Sequence, residues 1–93
     1  MAKIIWTQRS LNDLKSIYEF IALDSKIYAI RFINKIINRV EQLINFPDSG
    51  RIVPEKEDPS IRELIEGNYR LFYRLYRGNI YILRIFNSAR KIK

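Results

Sequence analysis

The hydrophobic pattern of this chain changes period once, across a proline-containing stretch, and that change limits the fold more than any single motif does. Before residue 47 the apolar residues recur at helical intervals. Leu11, Leu14, Ile17, Tyr18 and Ile21 form one stripe; Ile30, Ile33, Ile37, Val40 and Ile44, with Leu43 beside them, form a second. After residue 60 the period is two, in stretches rich in β-branched and aromatic residues: Ile61–Glu66, Tyr69–Arg77 and Ile80–Phe86. Helices first and strands second make an α+β domain, with the helices gathered on one side of a sheet.

Local signals set the boundaries. Lys3-Ile4-Ile5-Trp6 reads as a short opening strand. Thr7 or Ser10 opens the first helix, and Ser10 with Asp13 has capping-box spacing. Asp24-Ser25 interrupts the pattern and caps a second helix, which Phe46-Pro47 ends because a residue before proline is pushed out of the α region. So short a turn between helices requires an antiparallel hairpin. Pro47-Asp48-Ser49-Gly50 is turn chemistry, and a loop carrying Pro54 runs on to Pro59. Gly67-Asn68 and Gly78-Asn79 each suit a two-residue type II′ hairpin loop. The expectation is one domain over residues 1–93: an N-terminal strand, an antiparallel helix hairpin and a small antiparallel β-sheet, in the order β-α-α-β-β-β.

Two-residue loops fix the register, and the register assigns the faces. Residue 66 opposes 69 and 62 opposes 73; on the second hairpin 77 opposes 80, 75 opposes 82, 73 opposes 84 and 70 opposes 87. One face then holds Leu64, Leu71, Leu75, Ile80, Ile82 and Phe86, crossed by a row Arg62–Tyr73–Arg84, and is the better core for the helices. The other holds Glu63, Arg70, Phe72, Arg74, Tyr76, Tyr81, Leu83, Ile85 and Asn87. A one-residue bulge would exchange these faces.

Composition removes several chemistries. With neither cysteine nor histidine, thiol catalysis, disulfides and a zinc site are not expected, and the commonest general base is missing. No cofactor is implied. Met1–Arg9 is broken by Lys3 and Arg9 and has no export-type apolar region. Charges interrupt every apolar run before the roughly 18 residues of a membrane span. The expected setting is the cytoplasm. The net charge of +7 is unevenly spread: residues 1–60 carry nine basic and eight acidic side chains, residues 61–93 eight and two. A basic third of a small domain implies an anionic partner, either nucleic acid or an acidic protein segment, unless it is simply a solvated basic surface.

The residue types on the second sheet face fit either partner. Guanidinium forks bind phosphate or carboxylate, and aromatic rings stack on bases, so Arg70, Arg74, Tyr76, Tyr81 and Asn87 form a candidate binding surface. The plainer alternative is a solvated face with Arg–Glu pairs across strands. Arg62 and Arg84 fit a buried polar row beside Tyr73, with Glu66 or Asp58 as neutralising partners. Glu55, in the proline-flanked loop, would serve as a base if the loop swings over the sheet; the plainer alternative is a solvated loop glutamate. Phe20, Tyr28, Phe32 and Ile36 sit off the main helix stripes and suggest an exposed patch.

Taken in order, several segments carry a resemblance. They are the strand ending in Trp6, the helix Asp13-Leu14-Lys15-Ser16-Ile17-Tyr18-Glu19-Phe20-Ile21, and the second helix closing on Leu43-Ile44-Asn45-Phe46-Pro47. After them come Gly50-Arg51-Ile52-Val53-Pro54-Glu55, Ile61-Arg62-Glu63-Leu64, Gly67-Asn68-Tyr69-Arg70-Leu71-Phe72-Tyr73 and the run into Phe86-Asn87-Ser88-Ala89-Arg90. Over about residues 3–91 the chain resembles the RelE/ParE toxin superfamily, whose members are also called plasmid stabilisation proteins. The resemblance implies a helix hairpin over a small antiparallel sheet and a growth-inhibiting toxin of a type II toxin–antitoxin pair. Its partner would be a cognate antitoxin whose acidic or amphipathic segment wraps it. A homodimer and a heterotetramer with the antitoxin both remain open.

The superfamily divides by target. RelE-like members cut messenger RNA in the ribosomal A site; ParE-like members poison DNA gyrase. Arg70 matches the arginine of the family's Tyr-Arg motif and Arg90 a C-terminal arginine. With Glu55, where YoeB-like nucleases use a glutamate, they are the catalytic set of a metal-independent endoribonuclease if the chain is an enzyme. Arg62, Arg70, Arg74, Arg84, Asn87 and Arg90 are the candidate target or phosphate contacts. The departures favour the ParE-like reading. Ile61 and Glu63 stand where the nucleases have lysines, Asn87 stands where many relatives have histidine, and the sequence reaches Lys93 without a C-terminal catalytic tyrosine. The alternatives are the RelE-like ribosome-dependent nuclease, a decayed toxin, and a non-toxic basic nucleic-acid-binding domain.

Overall fold

The computed structural model describes residues 2–88. Strand β1 (Ile4–Trp6) leads into helix α1 (Gln8–Ala22), and a short turn joins it to α2 (Lys26–Glu41), which tightens into one 3₁₀ turn at Gln42–Ile44. Strands β2 (Arg51–Ile52), β3 (Ile61–Glu66), β4 (Tyr69–Tyr76) and β5 (Asn79–Asn87) follow. The expected order holds, with the two-residue β2 added inside the loop. The sheet runs β1-β5-β4-β3-β2. It is mixed, not wholly antiparallel: β1 lies parallel to β5, with Ile4 against Ile80 and Trp6 against Ile82, while the other pairs are antiparallel.

Thr7, not Ser10, caps α1. Its hydroxyl oxygen accepts from Ser10 N at 3.2 Å and donates to Ile82 O at 2.6 Å, so one side chain starts the helix and fastens it to β5. Ser10 turns inward and donates to Thr7 O at 2.7 Å. Ser25 caps α2 in the expected way, accepting from Tyr28 N at 3.1 Å.

The helices pack on one sheet face around Ile17, Ile36, Val40, Leu43, Leu64, Leu71, Tyr73, Ile80, Ile82 and Ile85. The buried stripe of α2 is Ala29–Ile36–Val40, continued by Leu43, and Ile30 is exposed. A count of isoleucines misplaces this stripe because α2 carries large apolar residues on several sides, and the fully buried Ala29 escapes such a count. Ile36 is core, and Phe32 packs on Tyr69 with ring centroids 5.2 Å apart. Phe20 and Tyr28 are exposed as expected, joined by Leu23, Ile27 and Ile30 around the hairpin turn.

The β3–β4 register is the one the first Gly-Asn turn dictates, with Glu66 against Tyr69 and Arg62 against Tyr73. The second turn falls one residue earlier than expected. Arg77 and Gly78 have φ of 50° and 77°, so they are the two central residues of a hairpin loop with both φ positive, as in type I′, and Tyr76 opposes Asn79. That moves the pairing by two, which leaves the faces of Ile80 and Ile82 as expected. A bulge opposite Phe72/Tyr73 then moves it by one: Tyr73 pairs with Ile82 but Phe72 with Arg84. Beyond Leu83 the faces are exchanged. Ile85 enters the helix-side core, Phe86 packs on the outer face, and Arg84 no longer opposes Tyr73.

Asp13 holds the bulge. Its carboxylate accepts from Ile85 N at 2.9 Å and from Arg84 Nε at 3.2 Å, so α1 satisfies a backbone donor of the irregular strand. At the other end of the core, Tyr73 is fully buried, and its hydroxyl donates to Pro47 O at 2.8 Å and accepts from Gly50 N at 2.9 Å. Burial pushes the phenol pKa up. Gly50 is needed there for space: a Cβ would fall 2.5 Å from Tyr73 Oη and 2.7 Å from Glu63 O.

Two predictions follow from these anchors. Asp13→Ala should lower stability in urea by about 2–3 kcal/mol, and Asp13→Asn, which keeps an acceptor for Ile85 N, by about 1 kcal/mol. Equal stability of Asp13→Ala and the parent would show that the bulge needs no help from α1. Gly50→Ala and Tyr73→Phe should each cost about 1–3 kcal/mol. The double variant should cost less than the sum, because both changes disrupt the same Gly50 N to Tyr73 Oη hydrogen bond, although Tyr73 Cε1 at 2.6 Å and Glu63 O still crowd the new methyl. Strict additivity would mean that the alanine leaves that hydrogen bond intact.

Candidate functional site

The outer sheet face has a small core of its own. Val53, Ile61 and Phe72 are buried together, with Leu83 and Phe86 packed against them. Phe72 and Phe86 meet edge to face at 5.1 Å, an arrangement that exists because the bulge turned Phe86 outward. Arg70 lies over these rings, its guanidinium carbon 5.1 Å from the Phe72 centroid and 5.8 Å from that of Phe86.

Beside Arg70 sits Glu63, only 1% exposed. Its register partner is Phe72, which makes Arg70 a diagonal neighbour across the hairpin. The guanidinium grips it with two bonds, Nε to Oε1 at 2.7 Å and Nη2 to Oε2 at 2.9 Å, and Arg51 Nε stands 3.2 Å from Oε2. A carboxylate so buried is tolerable only when paired on this scale, and leaving it unpaired would cost about 3–5 kcal/mol. Glu55 takes the outer edge of the same fork, at 2.9 Å from Nη1 and 3.3 Å from Nη2. Two guanidinium groups thus meet two carboxylates, and the cluster carries no net charge. The carboxylates raise the pKa of Arg70, Glu63 foremost, and the hydrogen bond from Arg70 holds the Glu55 carboxyl below its ordinary value.

The pattern repeats at Arg74. Asp58 accepts from Ser60 N and Oγ at 2.9 and 2.7 Å and lies 3.2 Å from Arg74 Nη2. The Ser60 hydrogen bonds, with help from Arg74, hold the Asp58 carboxyl below its ordinary value. Next to Arg74 an open groove of about 310 Å³ is lined by Tyr76, Tyr81 and Leu83. The two tyrosine rings stand 6.4 Å apart, and Arg77 covers Tyr76 at 5.3 Å.

Arg70, Arg74, Tyr76 and Tyr81 therefore share one face, as the alternation implies, and Glu55 reaches it from the loop. The other candidates lie elsewhere. Arg62 binds the turn after α2, donating to Gly50 O at 2.9 Å and Asp48 O at 3.2 Å, with the Asp48 carboxylate 3.8 Å away. Arg84 is taken by Asp13. Their partners are thus Asp48 and Asp13, while Glu66 pairs with Lys35 and Arg39 of α2 and Asp58 with Arg74. Asn87, expected on the arginine face, is a correction: the bulge sets it opposite Tyr69, in step with Ile85 of the helix side. Arg90 lies outside the described residues. Arg51 escaped the sequence reading, since a two-residue strand has no periodicity to find.

Residues 4–92 match the family described as the ParE toxin of type II toxin-antitoxin systems. The chain belongs to this toxin family. It is 31% identical over 91 residues to "Toxin RelE2" of Caulobacter vibrioides, an alignment spanning 97% of this chain and 99% of that one. A solved structure titled as the chromosomal ParDE TA system from P. aeruginosa superposes with a TM-score of 0.77 at 28% identity, covering 94% of this chain and 96% of the other. The toxin-antitoxin complex RelBE2 from Mycobacterium tuberculosis shares the fold, with a TM-score of 0.69 at 19% identity and coverage of 92% and 96%. Among the described residues no helix is long and apolar enough to cross a membrane.

The depressed pKa values of Glu55 and Asp58 give a pH signature. A carboxyl whose folded pKa is lowered stabilises the fold above its unfolded value, and loses that contribution as pH falls through the folded one. The contacts of Glu55 with Arg70 and of Asp58 with Ser60 and Arg74 should therefore open in acid. Heteronuclear NOE values of residues 54–60, followed from pH 7 to pH 3, should fall below about pH 4. A loop that stays rigid to pH 3 would show that these carboxylates do not hold it.

Proposed function

We propose that this toxin acts by docking on a protein target, DNA gyrase, and that its cognate antitoxin neutralises it by covering the outer sheet face. The observation that carries the reading is the neutral cluster of Arg51, Glu63, Arg70 and Glu55. An arginine that holds an RNA phosphate for cleavage needs a fork free to face it. The Arg70 fork is committed on one edge to a buried carboxylate, and an incoming phosphate would meet the charge of Glu63 beneath it.

Proton transfer is equally poorly served. A positioned acid or base contributes about 10²- to 10⁴-fold to a rate and works best with a pKa near the operating pH. Glu55 is shifted away from that range, downward, and Arg70 is held charged. Aromatic rings beside arginines are, by contrast, the residue types that anchor protein interfaces, and Arg74, Tyr76 and Tyr81 supply them.

The purified full chain, mixed with gyrase and relaxed plasmid, should stop supercoiling at near-stoichiometric ratios, while messenger RNA in a translating extract stays intact. Cleaved messenger RNA with supercoiling unaffected would replace this reading by the RelE-like ribosome-dependent nuclease.

A further inference from the structure

The segment Val53–Ser60 forms a strap across the outer face. Its ends are fixed: Val53 is buried against Ile61 and Phe72, and Ser60 O accepts from Leu75 N at 2.9 Å. Pro54 and Pro59 stiffen the chain just inside those anchors. Between them the strap reaches the sheet arginines through two carboxylates, Glu55 on Arg70 and Asp58 on Arg74. An acid pair three residues apart thus engages an arginine pair four residues apart on β4.

The two layers of ion pair differ greatly in strength. Glu63 is buried and bonded twice to Arg70, so this inner pair is permanent on the scale of binding. The Glu55 side chain is 59% exposed and that of Asp58 44%, and pairs so open to solvent are weak because water screens them. An incoming carboxylate would replace them like for like, and the guanidinium groups would keep their hydrogen bonds. The strap's advantage is its tether, equivalent to an effective concentration of about millimolar. A ligand must therefore bring an additional contact, and the groove of Tyr76, Tyr81 and Leu83 beside Arg74 offers one to an apolar side chain.

We propose that the strap is a built-in competitor, and that the outer face takes an acidic peptide segment whose carboxylates displace Glu55 and Asp58 while a neighbouring apolar side chain enters the tyrosine groove. This deepens the protein-docking reading and rests on it. A carboxylate is favoured over a phosphodiester because Glu63 stays beneath Arg70 and leaves only part of a charge to attract an anion.

The test measures binding of two probes to the full chain by the Nε–Hε resonances of Arg70 and Arg74. One probe is a synthetic peptide with an Arg-free Glu-x-x-Asp core next to a leucine; the other is a single-stranded hexaribonucleotide. The proteins are the parent, Glu55→Gln, Glu55→Gln/Asp58→Asn, and a control of equal charge, Glu19→Gln/Glu41→Gln, altered on the exposed helix surface. The double strap variant should bind the peptide about 3- to 10-fold more tightly than the parent, Glu55→Gln should fall between, and the control should change less than about 2-fold. If parent and strap variant bind the peptide equally, the competitor idea is overturned and protein docking stands. If the strap variant prefers the RNA, or binds no peptide at millimolar concentration, the docking reading falls with it.

Discussion

One carboxylate on α1 determines what each side of the last strand does. Asp13 accepts the backbone donor of Ile85, and so allows β5 to carry an extra residue at Leu83. With the bulge, Ile82 and Ile85 both reach the helix-side core, and Leu83 and Phe86 both reach the outer face. Without it, strict alternation would send Ile85 outward and Phe86 under the helices. Phe86 is half of the aromatic floor on which Arg70 rests, and Arg70 is what makes the burial of Glu63 tolerable. The sequence of dependence runs from a helix acid, through an irregular strand, to the charge pattern of a surface on the far side of the sheet.

Among the described residues, the same structure gives acidic partners to four of the eight basic residues in the last third of the chain. Arg62, Arg70, Arg74 and Arg84 all find acids, and apart from Glu63 these come from earlier in the chain: Asp48, Glu55, Asp58 and Asp13. Folding brings these arginines and dispersed acids together, so for these four a basic stretch in one dimension is not a row of open cations in three. This weakens the case for a phosphate-tracking surface built on those four arginines.

How much of this was legible follows from where the local signals were unambiguous. The two Gly-Asn pairs gave the same signal. The first is used as read, with Gly67 at a φ of 58° opening the loop, so the β3–β4 register and the shared face of Glu63, Arg70 and Arg74 follow from it. At the second the loop falls one residue earlier and places Arg77 at a φ of 50°, a position that glycine, asparagine or aspartate usually fills, so the residue types there pointed elsewhere. Leu83 gave no sign of a bulge because an apolar residue there continues the strand composition unbroken. Asp13 did stand out as an acid inside an apolar helix, but its sequence spacing from Ser10 pointed to a cap, and its true partners lie 71 and 72 residues away. The pairing of Arg51 with Glu63 depends on a two-residue strand and had no local signature.

The two sides of the sheet are therefore under different constraints. On the helix side, Tyr73, Gly50, Thr7 and Asp13 fix backbone groups by short-range geometry, and substitutions there act on folding. On the outer side the backbone is already satisfied by the sheet, and side chains can change charge without changing the fold, provided the buried Glu63 keeps its partners. Function on such a scaffold belongs to the residues of the free face. Here that face offers arginines committed to carboxylates and a groove of two tyrosines and a leucine, and the proposed docking reading rests on them.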